Sequence, residues 1–449
     1  MATRNRAVRK TVKTHEGGKA KNINAVEQLK RTLYTAMLGE NTFYENGTSI
    51  EQRLAEYVAP VRADLVEDMA VTARNRLNLR HAPLWVIAAM AMSDKHKPHV
   101  RRAIARVIKR ADEPGELMAM WQDLAGEDSG FPNQLKKGIR DIMPSFDAYK
   151  LAKGDNKSAR FRVRDVLRIV HPRPSNSEQS LIWKKAIAGT LKQHNTWEDK
   201  LSAGLSKKAS FEGLMAENAL GGLAFIRNLR LMTQSGVDER IISNYFKTPG
   251  IFKRVLPFRF LTAAEHAPQF EAELEDAMFR SIAESTNKLP GTTAILVDVS
   301  GSMCPGYGRA KFNCGLMKAS TMAAIAKELC DKAYVYTFAY DSVVVPTSRR
   351  GFGLINYIFD NRGGGTNIGR SVATVQGDRE YDRIIVITDE QSNTSVADPK
   401  YGQKAYMINV APYSNGVGYH AWTHLDGFSE AVFDWMYALE NDVLGERSR

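Results

Sequence analysis

The sequence predicts two successive architectures: an all-α solenoid of irregular helical hairpins, then a parallel α/β domain. Before Thr292 apolar residues recur at three- and four-residue spacing with no sustained strand alternation, broken by short Gly, Pro and Asn signals. After it come two β-branched runs, Ile295-Leu296-Val297 and Ile384-Ile385-Val386-Ile387, which read as buried parallel strands, each leading to a carboxylate. Between them lies Gly363-Gly364-Gly365-Thr366-Asn367, a glycine-rich loop ahead of a helix-like stretch. A chain of 449 residues, 43% of them hydrophobic, has ample material for two domains.

Residues 1–23 are expected to form a disordered basic arm suited to phosphates. Within the first 22, Arg4, Arg6, Arg9, Lys10, Lys13, Lys19 and Lys21 face a single acid, Glu16, among glycines and threonines. The helical array is expected over residues 24–290, opening at Asn24-Ala25-Val26. Ser49 followed by Gln52 has a capping-box pattern ahead of Leu54, Tyr57 and Val58. Pro60 and Pro83 punctuate the helices after it. The α/β domain is expected over residues 291–449.

Composition narrows the class. No stretch approaches the run of about 18 apolar residues that crosses a membrane, and the basic N-terminus has no apolar run behind it to make a secretory signal. A cytoplasmic protein without a membrane partner is the expectation. Cys304, Cys314 and Cys330 have no zinc-spaced partners and read as reduced thiols, with Cys304 a small filler beside a loop. Trp85, Trp121, Trp183 and Trp197 read as core residues.

Charge is uneven. The chain has 62 Lys+Arg against 50 Asp+Glu; from Gly291 onward the numbers are 15 and 17, which leaves 47 against 33 before it. Two segments concentrate this excess. In 96–110, Val100, Ile104 and Val107 form an apolar stripe while Arg102, Arg106, Lys109 and Arg110 occupy another face. In 150–173, Val163, Val166, Leu167 and Val170 form the inner stripe; Arg160, Arg164 and Arg168 line up at every fourth residue, joined by Lys150, Lys153, Lys157 and His171. A single basic face is usually just solvated. Like charges four residues apart repel, however, so two such faces and a basic arm favour a polyanion, and nucleic acid is the expected partner. His171, before Pro172 and Pro174, marks a helix end, where a lone histidine is commonly a cap.

Asp298-Val299-Ser300-Gly301-Ser302 places three oxygens on alternate residues at the carboxyl end of a strand, where open α/β sheets bind ligands. Thr366 and Asp389 supply two more from separate segments. Singly, the serines fit helix caps and Asp389 fits a turn; three pieces in this chain order argue against coincidence. The set Asp298, Ser300, Ser302, Thr366 and Asp389 resembles the metal-ion-dependent adhesion site (MIDAS) of von Willebrand factor A domains, over roughly Thr292 to Glu440. That resemblance implies a Rossmann-like α/β domain binding Mg²⁺ or a similar ion, with hydroxyls touching it directly, aspartates often acting through water, and a position left for a partner's carboxylate. Glu390 is expected to be an exposed loop charge. Nothing suggests catalysis, which would need an activated water with acid/base partners and a substrate pocket.

The order of the two architectures, with Val166-Leu167-Arg168-Ile169-Val170-His171-Pro172-Arg173-Pro174, Asn218-Ala219-Leu220, Ile226-Arg227-Asn228-Leu229 and Leu256-Pro257-Phe258-Arg259-Phe260, resembles the Ro autoantigen family of RNA-binding proteins, whose helical half is the TROVE module. The resemblance implies a monomeric ring of HEAT-like repeats closed by the A domain. It further implies a central hole that takes single-stranded 3′ ends of misfolded RNAs, an outer basic surface for Y or Y-like small noncoding RNA, and an exoribonuclease as a partner. The competing expectation is a metal-dependent protein-interaction adaptor that binds no RNA.

Overall fold

The structure, a computed structural model, describes residues 12–20, 23–35, 47–191, 206–253, 255, 257–285, 287–304, 314–413, 416–418, 421–428 and 431–441. It divides into two compact units. One comprises residues 32–40 and 46–248, the other residues 1–31, 41–45 and 249–449.

The first unit is helical. Its central helix, His81–Met92, is apolar on every side and buried from Ala82 to Ala91, the signature of a helix surrounded by others. Around it pack the helices Gly47–Val58, Ala63–Asn75, Lys97–Val107 and Glu113–Ala125. Trp85, Trp121 and Trp183 are buried as expected, while Trp197 lies outside the described residues. The helix containing Ser49 starts at Gly47, two residues ahead of the expected cap.

The second unit holds a six-stranded sheet in the order β3-β2-β1-β4-β5-β6. Its strands are β1 (Leu289–Asp298), β2 (Cys330–Phe338), β3 (Ser342–Val344), β4 (Arg383–Thr388), β5 (Lys404–Asn409) and β6 (Thr423–Asp426). Every pairing is parallel except the β2–β3 edge. Ala294, Ile295, Leu296 and Val297 are all fully buried, so both faces of β1 are covered and its sequence runs apolar without alternation. Leu296, Val386 and Met407 pack with Ile368, Val372 and Val375 of the Ile368–Asp378 helix, and the Gly315–Leu329 helix lies against β1 and β2. This is the von Willebrand A-like fold.

The sheet unit reaches back beyond residue 291. In the helix Glu271–Ser285, Leu274, Ala277, Met278 and Ile282 are buried, and the helix packs on Gly315–Leu329 and Gly351–Asp360, with Glu275 accepting from the Phe352 N–H at 2.7 Å. The expected basic arm also differs: residues 12–20 are ordered. Thr14 is buried and its hydroxyl donates to Ser392 O at 2.8 Å. Composition registers the charge of this segment but not a docking partner 378 residues away. Residues 1–11 and 21–22 lie outside the described residues.

Candidate metal centre and basic surface

Strand order reverses between β1 and β4, since β1 is followed on one side by β2 and on the other by β4. The crevice at the carboxyl ends of two such strands is the usual ligand position of an open parallel sheet. Asp298 ends β1, and Thr388 and Asp389 end β4. Three loops are tied together there by backbone hydrogen bonds: Gly363 N–H to Val299 O at 2.7 Å, Gly301 N–H to Gly364 O at 3.1 Å, and Asn393 N–H to Thr366 O at 3.0 Å. The structure thus brings together all five oxygen-bearing residues, and Asp298, Ser300, Ser302, Thr366 and Asp389 are each buried.

The Ser300 and Ser302 hydroxyls stand 3.2 Å apart. Asp298 accepts from the Ser300 N–H at 2.9 Å and from the Thr388 hydroxyl at 2.5 Å. Thr388, the last residue of β4, carries no mark in the sequence beyond its place between the apolar run and Asp389. Asp389 accepts from the Gln391 N–H through Oδ1 at 3.0 Å, while its Oδ2 is buried without a hydrogen-bond donor among the described residues. Burial pushes the Asp298 carboxyl well up. Burial raises Asp389 as well, and the charge of Asp298 raises it further. Two buried carboxylates that disfavour each other's charge, beside three hydroxyls, form an all-oxygen set whose nearby cation, Arg31, is paired with Glu390 and offsets their repulsion only in part. No three His, Cys, Asp or Glu side chains converge as metal ligands among the described residues, so a cation here depends on the hydroxyls.

The neighbouring Glu390 is not an exposed loop charge. Its side chain is inaccessible, and it faces Arg31, also inaccessible, at 3.1 Å. It also bonds His424 Nε2 and accepts from the Gly418 N–H at 3.1 Å. Burial alone raises a carboxyl, but Arg31 and His424 outweigh it and hold Glu390 down to about 2. Arg31 also donates to Tyr413 O at 2.6 Å. The Glu390 backbone sits at φ +59°, a conformation costing about 1 kcal/mol or more outside glycine and sustained by these contacts. Its sequence position at a strand exit carries no sign of Arg31, 359 residues earlier.

The basic residues fare unequally. Arg102 and Arg106 surround the buried Glu67, Arg102 with bonds of 2.6 to 2.9 Å and Arg106 with one of 2.8 Å. Burial pushes Glu67 up, yet Arg102, Arg106 and His99 bring it down to about 2. This inward carboxylate relieves the like-charge repulsion for which the sequence alone calls on an external polyanion. The helix ends at Val107. Beyond it, Arg110 pairs with Asp112 at 2.9 Å and Lys109 is exposed.

In the second segment, helices cover Ala148–Gly154 and Val163–Val170. Arg160 therefore lies in a bend, not in register with Arg164 and Arg168, and reaches Asp123 and Glu127, both at 2.9 Å. Arg164 is half-buried, 3.7 Å from Asp165. Lys150, Lys153, Lys157 and Arg168 are exposed. His171 caps its helix at φ +47° and is exposed as well. A cleft of about 240 Å³ beside them is lined by Leu151, Asp155, Lys157, Arg162 and Gly189.

The TROVE domain family matches residues 3–189 and 174–332, well over half of the chain. The chain belongs to the TROVE-domain family. This is the family of Ro proteins, which bind RNA. Among curated relatives, telomerase protein component 1 of Mus musculus is 20% identical over 333 residues, 54% of this chain and 13% of that protein. The protein of the same name from Rattus norvegicus is 21% identical over 303 residues, 48% of this chain and 12% of that one. The chain thus spans only about an eighth of these relatives. The crystal structure of the Deinococcus radiodurans Ro (RSR) protein is similar with a TM-score of 0.60 at 18% identity, covering 93% of this chain and 100% of that one. That likeness establishes the fold, TROVE helices followed by the A-like domain.

Proposed function

We propose that this TROVE-family chain is an RNA-binding scaffold. It binds a small noncoding RNA of the Y or Y-like class on its basic surface and accepts single-stranded 3′ ends of misfolded RNAs in the hole of a monomeric helical ring. The setting is RNA quality control in the cytoplasm, with an exoribonuclease as a partner and no catalytic step by the chain itself. The observation that carries the reading is the exposed set Lys150, Lys153, Lys157, Arg168 and His171, together with family membership. Arg and Lys contacts to phosphates supply affinity with little sequence choice, which suits surveillance of varied RNAs. Arg102 and Arg106 contribute less, because Glu67 already neutralises them in part.

The A-like domain holds a divalent cation, Mg²⁺ by ligand type, through Asp298, Ser300, Ser302, Thr366 and Asp389. The orphaned Asp389 Oδ2 and the all-oxygen set support this fit. A bound cation supplies a Lewis-acidic position for a carboxylate, which gives the domain a role in holding a protein partner. A metal-dependent adaptor without RNA is the second reading, and this oxygen cluster is what favours it.

Titration of a tailed RNA, the same RNA made blunt, and matched DNA at several salt concentrations tests the proposal. Preference for the tailed RNA with a steep salt slope is expected. Arg164→Glu with Arg168→Glu should weaken binding about tenfold and lower the slope by about 2. Equal, weak binding to all three nucleic acids would leave the adaptor reading.

A further inference from the structure

Gln391 is fully buried two residues after Asp389, and its polar groups join two distant parts of the chain. Its N–H donates to Asp389 Oδ1 at 3.0 Å and its Nε2 donates to Asp389 O at 3.2 Å, while its Oε1 accepts from the His15 N–H at 2.8 Å. A side-chain amide has one accepting end and one donating end. The His15 N–H therefore fixes which end it meets, and Nε2 is left for Asp389. With Asp389 Oδ1 engaged by Gln391, Oδ2 is the oxygen without a donor among the described residues.

The next two residues hold Thr366 in a similar way. The Asn393 N–H donates to Thr366 O at 3.0 Å, and the Ser392 hydroxyl reaches the same carbonyl at 3.4 Å. Both are backed by the start of the chain. The Thr14 hydroxyl donates to Ser392 O at 2.8 Å. Gly18 comes so near that a Cβ there would stand 2.1 Å from Ser392 O and 3.0 Å from the Asn393 carbonyl carbon, so close approach alone demands glycine. Residues 12–20 are themselves closed into a small hairpin: the Gly17 N–H donates to Thr14 O, the Thr14 N–H to Gly18 O and the Ala20 N–H to Val12 O, all at 2.9 to 3.0 Å.

We propose that residues 12–20 are a positioning element of the candidate cation site: seated on residues 391–393, they hold Asp389 and Thr366 in the arrangement that receives the cation, with Gln391 as the positioning residue between them. This rests on the cation reading given above. Second partners of metal ligands commonly set affinity by ten- to a hundredfold. Binding is reciprocal, so a cation that prefers the docked hairpin must hold it down by the same factor. The start of the chain thereby sets the cation affinity of a domain whose first strand begins at Leu289.

The test uses the full chain with Mn²⁺ as the probe, read by calorimetric titration and by limited trypsin cleavage. Lys13 and Lys19 are exposed on the hairpin, and Arg349, in an exposed loop of the same unit, is the internal reference. Gly18→Ala undocks the hairpin without changing any charge or ligand and is expected to weaken Mn²⁺ binding about tenfold. Thr14→Val, which removes one donor, should weaken it about threefold. In wild type, saturating Mn²⁺ should slow cleavage after Lys13 and Lys19 about tenfold and leave cleavage after Arg349 unchanged. Asp389→Asn should show neither Mn²⁺ binding nor protection. Mn²⁺ binding that is equal in wild type and Gly18→Ala, with no protection of the two lysines, overturns the positioning role and leaves the cation site standing. Wild-type binding in Asp389→Asn overturns both. Should Gly18→Ala fail to fold, the protection measured in wild type decides alone.

Discussion

Two buried acid clusters, one in each compact unit, meet opposite conditions. In the helical unit Glu67 is inaccessible yet surrounded by Arg102, Arg106 and His99, and its carboxyl is held down to about 2. In the sheet unit Asp298 and Asp389 are equally buried and repel each other, and both are pushed up. Burial is common to the two; the difference is whether the fold supplies the compensating positive charge. Where it does, the cluster is structural. Where it does so only in part, through an Arg31 already paired with Glu390, the remaining compensation has to come from outside, which marks the site as one for a ligand. Glu390 sharpens the contrast, because it is adjacent to Asp389 and belongs to the first kind.

The largest expected effect comes from converting Glu390 into an uncompensated charge. Arg31→Met leaves it buried with only His424 opposite, at a cost of about 3–5 kcal/mol. Denaturant unfolding measures this, and a cost below about 1 kcal/mol would show that water already reaches the pair. Glu67→Gln should destabilise by about 2 kcal/mol near neutral pH, a smaller loss because the arginines it releases are half-exposed and rehydrate. Its pH dependence has a definite sign. The folded carboxyl lies near 2 against an ordinary 4.5, so the stabilisation is complete above about pH 4.5 and disappears as pH falls towards 2. The gap in stability between wild type and Glu67→Gln should therefore shrink between pH 6 and pH 3; a constant gap contradicts the assignment.

The smallest effect has the opposite sign. Asp389→Asn relieves a repulsion, so in EDTA the variant should be more stable than wild type by about 1 kcal/mol. Added Mg²⁺ should raise the melting temperature of wild type and leave the variant unmoved. Destabilisation in EDTA would mean that Asp389 is a structural acid like Glu67, and the contrast between the clusters would collapse.

How much of this was legible in the sequence depends on the range of each signal. Buried strands are short apolar runs and their exits are marked by carboxylates, so β1, β4 and the five oxygen-bearing residues could be named from local pattern alone. Helical periodicity likewise gave the stripes at Val100–Val107 and Val163–Val170. What pattern could not give was the partner across the fold. Arg102 and Arg106 read as an outward face because Glu67 is 35 residues and more away. Arg160 read as helical because a spacing of four also fits a bend leading into a helix. Thr14, His15 and Arg31 carry no local mark of their association with residues 389–413. A basic composition is compatible both with a loose arm and with a docked one, and only tertiary contact distinguishes them.

The union of residues 12–31 with the segment after β4 also sets an order of synthesis. Thr14 leaves the ribosome 378 residues ahead of Ser392, a delay of roughly 20 to 80 s at usual translation rates. The helical unit, contained within residues 32–248, is fully made during that wait. The Arg31 guanidinium must therefore remain solvated until Glu390 and Tyr413 emerge, and a nascent chain halted before β4 carries an unanchored start and a finished middle. Docking of residues 12–20 is in this sense a late checkpoint of synthesis: it reports that β4 and the segment after it, and with them the crevice at the ends of β1 and β4, have been completed.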